Sequence, residues 1–138
     1  MFMRILAVDL GKARTGLAAA ESTLKLASPV GTVHEHNEER LLNAVIDAVA
    51  KEKAERVVVG HPRNMDGSRG ESAHRAEAFA EKLREQTGLE VVLWDERMTT
   101  VTAIGYLNEQ NVRGGKRKAV VDTVAATVIL QNYLDSLT

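Results

Sequence analysis

The sequence contains no cysteine, which excludes disulfides, thiolate zinc sites and cysteine nucleophiles. It has no apolar run approaching the roughly 18 residues that span a bilayer, and its first residues lack the layout of a signal peptide. Linkers, internal repeats and low-complexity tracts are absent too. A chain of 138 residues can bury roughly two-thirds of the surface that its unfolded form exposes. We therefore expect a cytoplasmic protein without a membrane partner, folded as a single domain over residues 1–138.

An excess of positive charge is also missing, since the formal net charge is −1 and the pI is about 6.4. The total charge therefore does not indicate a nucleic-acid partner, because dedicated binders are often strongly basic. The distribution of charge is more informative. Residues 111–121 contain no acidic residue but carry four cations beside a pair of glycines, namely Arg113, Lys116, Arg117 and Lys118. This pattern fits either a loop that binds a phosphate backbone or a solvated loop that happens to be basic.

Hydrophobic periodicity predicts an α/β protein with one mixed sheet. Continuous short apolar runs indicate buried strands, and apolar residues at helical spacing indicate amphipathic helices. The predicted strands cover residues 4–9, 15–19, 29–33, 56–60 and 91–96, and the predicted helices cover residues 38–53, 71–86, 99–109 and 117–137. Gly11 favours a hairpin between the first two strands, and Gly88 is a candidate helix C-cap. Three strands followed by alternating helices and strands are typical of layered α/β proteins.

Three separated carboxylates stand out in structured settings. Asp9 closes the first apolar run, Asp95 and Glu96 close the last one, and Asp122 lies within an apolar helical pattern. Burying a carboxylate is costly unless a positive group meets it, so three that converge would suit a divalent metal ion. The leading hypothesis is a metal-dependent phosphoryl-transfer enzyme. The alternatives are a turn-forming or capping Asp9, a surface cluster around Asp95, and an Asp122 that favours the helix dipole.

Strand geometry makes a further prediction about the adjacent pair of acids. Successive side chains of a strand point to opposite faces, so only one of Asp95 and Glu96 should face the site. Asp122 shares a helical stripe with Ala126, Ile129 and Tyr133, which predicts a position at the rim of a packing face. His61 follows a buried strand and is open to a role as general base or metal ligand, although a single loop histidine is more often neither.

Four segments together resemble the YqgF family, also called RuvX. They are DLGKARTGLA at residues 9–18, VGHPRNMDGS at 59–68, DERMTT at 95–100, and KAVVD at 118–122 followed by AA at 125–126 and ILQ at 129–131. The segments occur in the order of the family, and the resemblance covers residues 4–135. One departure is His61, which stands where the family usually has an apolar residue between the glycine and the proline.

The resemblance implies an RNase H-like fold, with a mixed central sheet and helices on both faces, and a nuclease activity. It implies that Asp9, Glu96 and Asp122 hold one or two Mg²⁺ or Mn²⁺ ions. It also implies that nucleic acid, RNA before DNA, is bound through basic residues, for which we name Lys12, Arg14, Arg63, Arg113, Lys116, Arg117 and Lys118. The family is assigned to maturation of the 5′ end of precursor 16S ribosomal RNA.

Three other interpretations stay open at this point. The family was earlier assigned to Holliday-junction resolution, which requires two symmetric cuts and hence a homodimer. A non-catalytic RNA-binding factor of ribosome assembly would retain the same acidic cluster. Actin-like ATPases and sugar kinases also open with an apolar strand, Asp-x-Gly and a hairpin, but they close two such domains around a nucleotide.

Overall fold

The computed structural model describes residues 3–23, 26–64, 66–96 and 114–137, with the side chains of residues 114–122 excepted. Five strands and three helices lie in this part of the chain. The strands are β1 (Arg4–Asp9), β2 (Arg14–Glu21), β3 (Leu26–His34), β4 (Arg56–His61) and β5 (Glu90–Asp95). The helices are α1 (Glu38–Glu52), α2 (Glu71–Thr87) and α3 (Gly114–Ser136).

The strands form one mixed sheet in the order β3-β2-β1-β4-β5. β1, β2 and β3 pair antiparallel, whereas β1 pairs with β4 and β4 pairs with β5 in parallel. Because the carboxyl ends of parallel strands meet at one edge of a sheet, Asp9, His61 and Asp95 end their strands at the same edge. His61 and Asp95 are direct partners in the register of β4 and β5.

Each face of the sheet has its own apolar core. On one face, Leu6, Val8, Val57 and Val59 are buried together with residues of α1 and α2. On the other face, Ile5, Ala7 and Val58 are buried beneath Ala126, Ile129, Leu130 and Tyr133 of α3. Burying one such aliphatic side chain contributes about 1.5–3 kcal/mol. Four consecutive residues of β1 and of β4 are buried, because their side chains point alternately to two faces that are both covered by helices.

Local signals in the sequence fix the ends of the first two helices. Asn37 caps α1, since its side chain accepts a hydrogen bond from the backbone N–H of Arg40 at 2.9 Å. Lys53 follows α1 in the left-handed region, with φ 56°. Gly88 follows α2 with φ 70°, and its N–H donates to the carbonyl of Arg84.

The structure confirms the α/β prediction and the mixed sheet. It corrects the start of the last helix, which begins at Gly114 rather than at Arg117. Lys116 therefore belongs to the helix, as Arg117 and Lys118 were expected to, and not to a glycine-containing loop. A glycine costs only about 1 kcal/mol in a helix relative to alanine, which is too little for the glycine pair to delay a helix that continues for many residues. The predicted helix at 99–109 lies outside the described residues.

None of the three helices in the described part of the chain combines the length and the apolar character needed to cross a bilayer.

Candidate metal-binding active site

Asp9 and Glu96 lie together at the carboxyl edge of the sheet. Asp9 is the last residue of β1, and Glu96 directly follows the end of β5, on the far side of β4. Their carboxyl groups share a hydrogen bond. This hydrogen bond places the two carboxyl groups within one site.

Burial is the main influence on the Glu96 carboxyl and raises its pKa. The hydrogen bond with Asp9 and the charge of His61 oppose this shift, while the charge of Asp95 adds to it. A buried carboxyl group with a raised pKa is typical of functional sites, where it is neutralised by a proton or by a bound cation.

Gly60 has no side chain, and this leaves room for the side chain of Glu96. A Cβ atom at this position would lie 2.7 Å from Oε2 of Glu96 and 2.9 Å from Cδ1 of Ile129. Gly60 is in β4 on the face of the sheet that α3 covers, because its neighbours Val59 and Val58 alternate between the two cores. Because Gly60 has no side chain, the Glu96 carboxylate fits between β4 and α3.

The two adjacent acids after β5 have different surroundings. Asp95 pairs in register with His61, whose side chain contacts α2 through Glu77. Glu96 instead lies over Gly60 on the α3 face and contacts Asp9. Of the two acids, Glu96 is the one beside Asp9.

Asp122 belongs to α3, but its side chain lies outside the described residues. Its place in the helix is nevertheless informative. The next residue, Thr123, has its hydroxyl 3.0 Å from that of Thr32, and Thr32, Gly16 and Asp9 form one row across the sheet in register. Residue 123 of α3 thus lies over the row that contains Asp9. Among the described side chains, no group of three His, Asp or Glu residues could hold a metal ion.

The basic candidates have separate positions. Lys12 is exposed in the turn between β1 and β2, and Arg14 is half-buried at the start of β2. Arg63 is half-buried in the loop after β4, where its Nη2 donates to the carbonyl of Gly67 at 2.5 Å. Lys116, Arg117 and Lys118 are in the first turns of α3, with side chains outside the description, and Arg113 lies outside the described residues altogether.

Sequence reasoning gave no role in the site to three residues, namely Gly60, which lies against Glu96, and Arg75 and Glu77, which contact Gly11 and His61. A glycine at the end of an otherwise apolar strand signals a close approach, and this signal was available for Gly60. Arg75 and Glu77 gave no comparable signal, because charged residues on an amphipathic helix are ordinarily solvated.

The family model described as RuvX: Holliday junction resolvase matches residues 3–136. The chain belongs to the RuvX family. Among its relatives, a protein of Caldanaerobacter subterraneus subsp. tengcongensis named "Putative pre-16S rRNA nuclease" is 42% identical over 135 residues, which cover 97% of each chain. A protein of the same name from Anaeromyxobacter sp. (strain Fw109-5) is 44% identical over 133 residues, covering 96% of this chain and 97% of the other.

Solved structures give the fold of this RuvX-family chain. RuvC of T. thermophilus in complex with Holliday junction substrate matches with a TM-score of 0.60 at 15% identity, covering 98% of this chain and 95% of that one. The fowlpox virus resolvase with its substrate Holliday junction DNA matches with a TM-score of 0.63 at 11% identity, covering 98% and 99%. The RNase H-like fold predicted from the resemblance is therefore confirmed.

Proposed function

We propose that this chain is a divalent-metal-dependent nuclease that hydrolyses nucleic-acid phosphodiester bonds during 5′-end maturation of precursor 16S rRNA, and that it acts as one RNase H-like domain. The observation that carries the proposal is the hydrogen-bonded pair of Asp9 and Glu96 at the carboxyl edge of the sheet. Membership of the RuvX family and the shared name of the relatives supply the reaction and the RNA.

The residues present fit a hard divalent cation. Mg²⁺ and Mn²⁺ prefer oxygen ligands, and carboxylates are their usual protein donors. Asp9 and Glu96 supply such oxygens, and the burial that raises the pKa of Glu96 creates a need for positive charge at this position. Asp9 and Glu96 would therefore hold one or two Mg²⁺ or Mn²⁺ ions.

Asp122 is the third ligand in this proposal. Support comes from the contact of Thr123 with Thr32, on the row of the sheet that contains Asp9. Further support comes from Ile129, two helical turns after Asp122 on the same stripe, which packs against Gly60 beside Glu96. A helix that contacts the sheet at both points runs past the acid pair.

The reaction is hydrolysis at phosphorus. A water oxygen forms a bond to phosphorus while the bond to the 3′ oxygen breaks, which leaves a 5′-phosphate and a 3′-hydroxyl. A bound divalent ion would activate the water and stabilise the leaving oxygen. Asp9, Glu96 and Asp122 would hold that ion in place. Packing of Glu96 between β4 and α3 limits the access of bulk water to its carboxyl group.

We assign the binding of the nucleic-acid backbone to the basic residues named from the sequence. Lys12 and Arg14 belong to the turn after Asp9 and to the start of β2, Arg63 follows β4, and Lys116, Arg117 and Lys118 are in the first turns of α3; Arg113 is included from the sequence alone. Contacts of this kind neutralise phosphates and position the substrate without reading its sequence. We therefore expect the affinity for nucleic acid to fall strongly as the salt concentration rises.

Cleavage of four-way DNA junctions is a second candidate. It is favoured by the description of the matching family and by the junction DNA bound in both resolvase structures. This candidate needs a homodimer that presents two sites with opposite polarity. RNA processing has no such requirement.

The test is a direct cleavage assay with the purified chain. End-labelled RNA that contains the 5′ precursor segment of 16S rRNA, single-stranded DNA and a four-way DNA junction are each incubated with Mg²⁺, Mn²⁺ or EDTA. The proposal expects metal-dependent cleavage of the RNA to a product with a 5′-phosphate. Paired symmetric cuts in the junction alone would favour the second candidate, and tight RNA binding without turnover would favour a non-catalytic factor.

A further inference from the structure

The first turns of α2 contact both loops that border the acid pair. Ala76 is buried against the sheet, and the residues on either side of it, Arg75 and Glu77, make contacts with two different loops. Arg75 contacts the turn that follows Asp9, and Glu77 contacts the end of β4 beside Asp95. One helix thus touches the chain next to each of the two carboxylates.

Arg75 holds the turn between β1 and β2. Its Nη1 donates to the carbonyl oxygen of Gly11 at 2.8 Å, and its Nε donates to Oε1 of Glu38 at 2.8 Å. The turn itself is compact, since a Cβ atom at Gly11 would lie 2.0 Å from the carbonyl oxygen of Arg14. Arg75 therefore ties the residues directly after Asp9 to both α2 and the start of α1.

Glu77 holds both ends of the loop after β4. Its Oε2 is 2.7 Å from Nε2 of His61, and Nη1 of Arg69 is 3.3 Å from Oε1 and 3.1 Å from Oε2. His61 is the last residue of β4, directly before this loop, and is the register partner of Asp95, the residue before Glu96. The hydrogen bond with His61 lowers the pKa of Glu77, and the nearby Arg69 lowers it further. A single carboxylate thus fixes the end of β4 that adjoins the Glu96 backbone.

We propose that Arg75 and Glu77 are positioning residues, which hold Asp9 and Glu96 in place without touching them. This proposal rests on the nuclease function proposed above. Arg75 fixes the strand end that carries Asp9, and Glu77 acts through His61 on the strand end that adjoins Glu96. Neither residue touches the acid pair. Metal ligands must be held by supporting contacts, and the loss of such contacts typically weakens metal affinity or activity by about 10- to 100-fold.

The chain offers a matched control for a purely structural role. Arg4 also joins β1 to a helix, with Nε donating to the carbonyl of Glu52 at 2.7 Å and Nη2 3.2 Å from Oε1 of Glu52. Its side chain is 33% exposed, against 27% for Arg75. Arg4 lies at the opposite end of β1 from Asp9. Arg4→Met should therefore destabilise the fold as Arg75→Met does, without moving the acid pair.

The experiment titrates Mn²⁺ into the nucleic-acid-free full chain and follows free Mn²⁺ by electron paramagnetic resonance. Arg75→Met and Glu77→Gln should each weaken Mn²⁺ binding about 10-fold and lower kcat with little change in KM, whereas Arg4→Met should change only the Tm. Arg75→Lys keeps the charge but cannot bind Gly11 and Glu38 together, so it should also weaken Mn²⁺ binding. If Arg75→Met fails to fold, Arg75→Lys is used in its place.

Two results together would overturn the proposal. They are that the Arg75 variant, whether Arg75→Met or Arg75→Lys, binds Mn²⁺ and turns over substrate like Arg4→Met, and that Glu77→Gln does the same. A wild-type chain that binds Mn²⁺ but cleaves no nucleic acid would contradict the proposed nuclease function, and the Mn²⁺ affinities of the variants would still decide the positioning role. A wild-type chain that binds no Mn²⁺ would overturn the positioning role together with the metal site.

Discussion

The carboxylate of Glu96 fills the space that a side chain at Gly60 would occupy. The missing Cβ would lie 2.7 Å from Oε2 of Glu96, closer than such contacts allow. A strand in the middle of the parallel part of the sheet thus leaves room for an acid supplied by its neighbour. This arrangement makes residue 60 part of the candidate site although it has no side chain.

Replacing Gly60 by alanine should displace Glu96 and weaken Mn²⁺ binding by about 10-fold or more. The variant should also lose roughly 1–3 kcal/mol of stability, because overpacking of a core has costs of this size. Ile129→Val provides an internal control, since it removes the Cδ1 atom that lies 2.9 Å from the new Cβ. In the double variant, stability should recover in part while Mn²⁺ affinity stays low. Recovery of both in calorimetry and Mn²⁺ titration would mean that Glu96 does not depend on this space.

The contact of Glu77 with His61 predicts a dependence of stability on pH. The pKa of Glu77 is lowered in the folded state, so its stabilising effect is present above the ordinary carboxyl pKa of about 4.3 and is lost as the pH falls through the lowered value. Wild type should therefore be more stable than Glu77→Gln at pH 7, and this difference should decrease as the pH is lowered towards 3. Urea denaturation at both pH values measures it.

Glu81→Gln is the control for that comparison, because the ion pair that Glu81 makes among the described residues is with Arg84 of its own helix. Such an exposed pair contributes about 0.2–0.5 kcal/mol. If the difference between wild type and Glu77→Gln persisted unchanged at pH 3, the carboxylate charge would not be its source.

The cations at the start of α3 predict a salt effect on nucleic-acid binding. Replacing Lys116, Arg117 and Lys118 together by alanine should weaken binding and flatten the plot of log affinity against log salt. Each lost phosphate contact lowers the slope by about 0.7 on a single strand or about 0.9 on duplex DNA. Fluorescence anisotropy with a labelled oligonucleotide at several salt concentrations measures this slope.

A triple variant of equal charge serves as the control. Arg40, Lys51 and Lys82 are exposed on α1 and α2, on the face of the sheet opposite α3. Their replacement by alanine should leave the slope close to that of wild type. Equal slopes for the two triple variants would direct the search for the binding surface to Lys12, Arg14 and Arg63.

Much of this architecture could be predicted because its signals are local. The apolar run before Asp9 is long enough only for a buried strand, and Gly88 carries the chemistry of a helix C-cap. The alternation of side chains along a strand also predicted that Asp95 and Glu96 would differ in their surroundings, although the strand ends at Asp95 and not at Glu96 as predicted. These features depend on residues close together in the chain.

The contacts of Arg75 and Glu77 could not be predicted in this way. Arg75 meets Gly11 and Glu77 meets His61 only after α2 packs across the sheet, so tertiary packing decides which charged residues of α2 are solvated. The start of α3 was misplaced for a similar reason. A glycine pair resembles a loop locally, whereas the packing of the rest of the helix decides where it begins.

The most direct test of the account compares two neighbouring acids in one assay. Glu96→Gln and Asp95→Asn each remove one carboxylate charge with little change of shape, but Glu96 contacts Asp9 over Gly60, whereas Asp95 is the register partner of His61. Cleavage of the labelled 16S rRNA precursor is measured with Mg²⁺ or Mn²⁺, with circular dichroism to show that both variants are folded. The account predicts that Glu96→Gln, like Asp9→Asn, abolishes turnover, whereas Asp95→Asn reduces it much less. Turnover at the wild-type rate by folded Glu96→Gln, or the reverse ranking of the two variants, would contradict it.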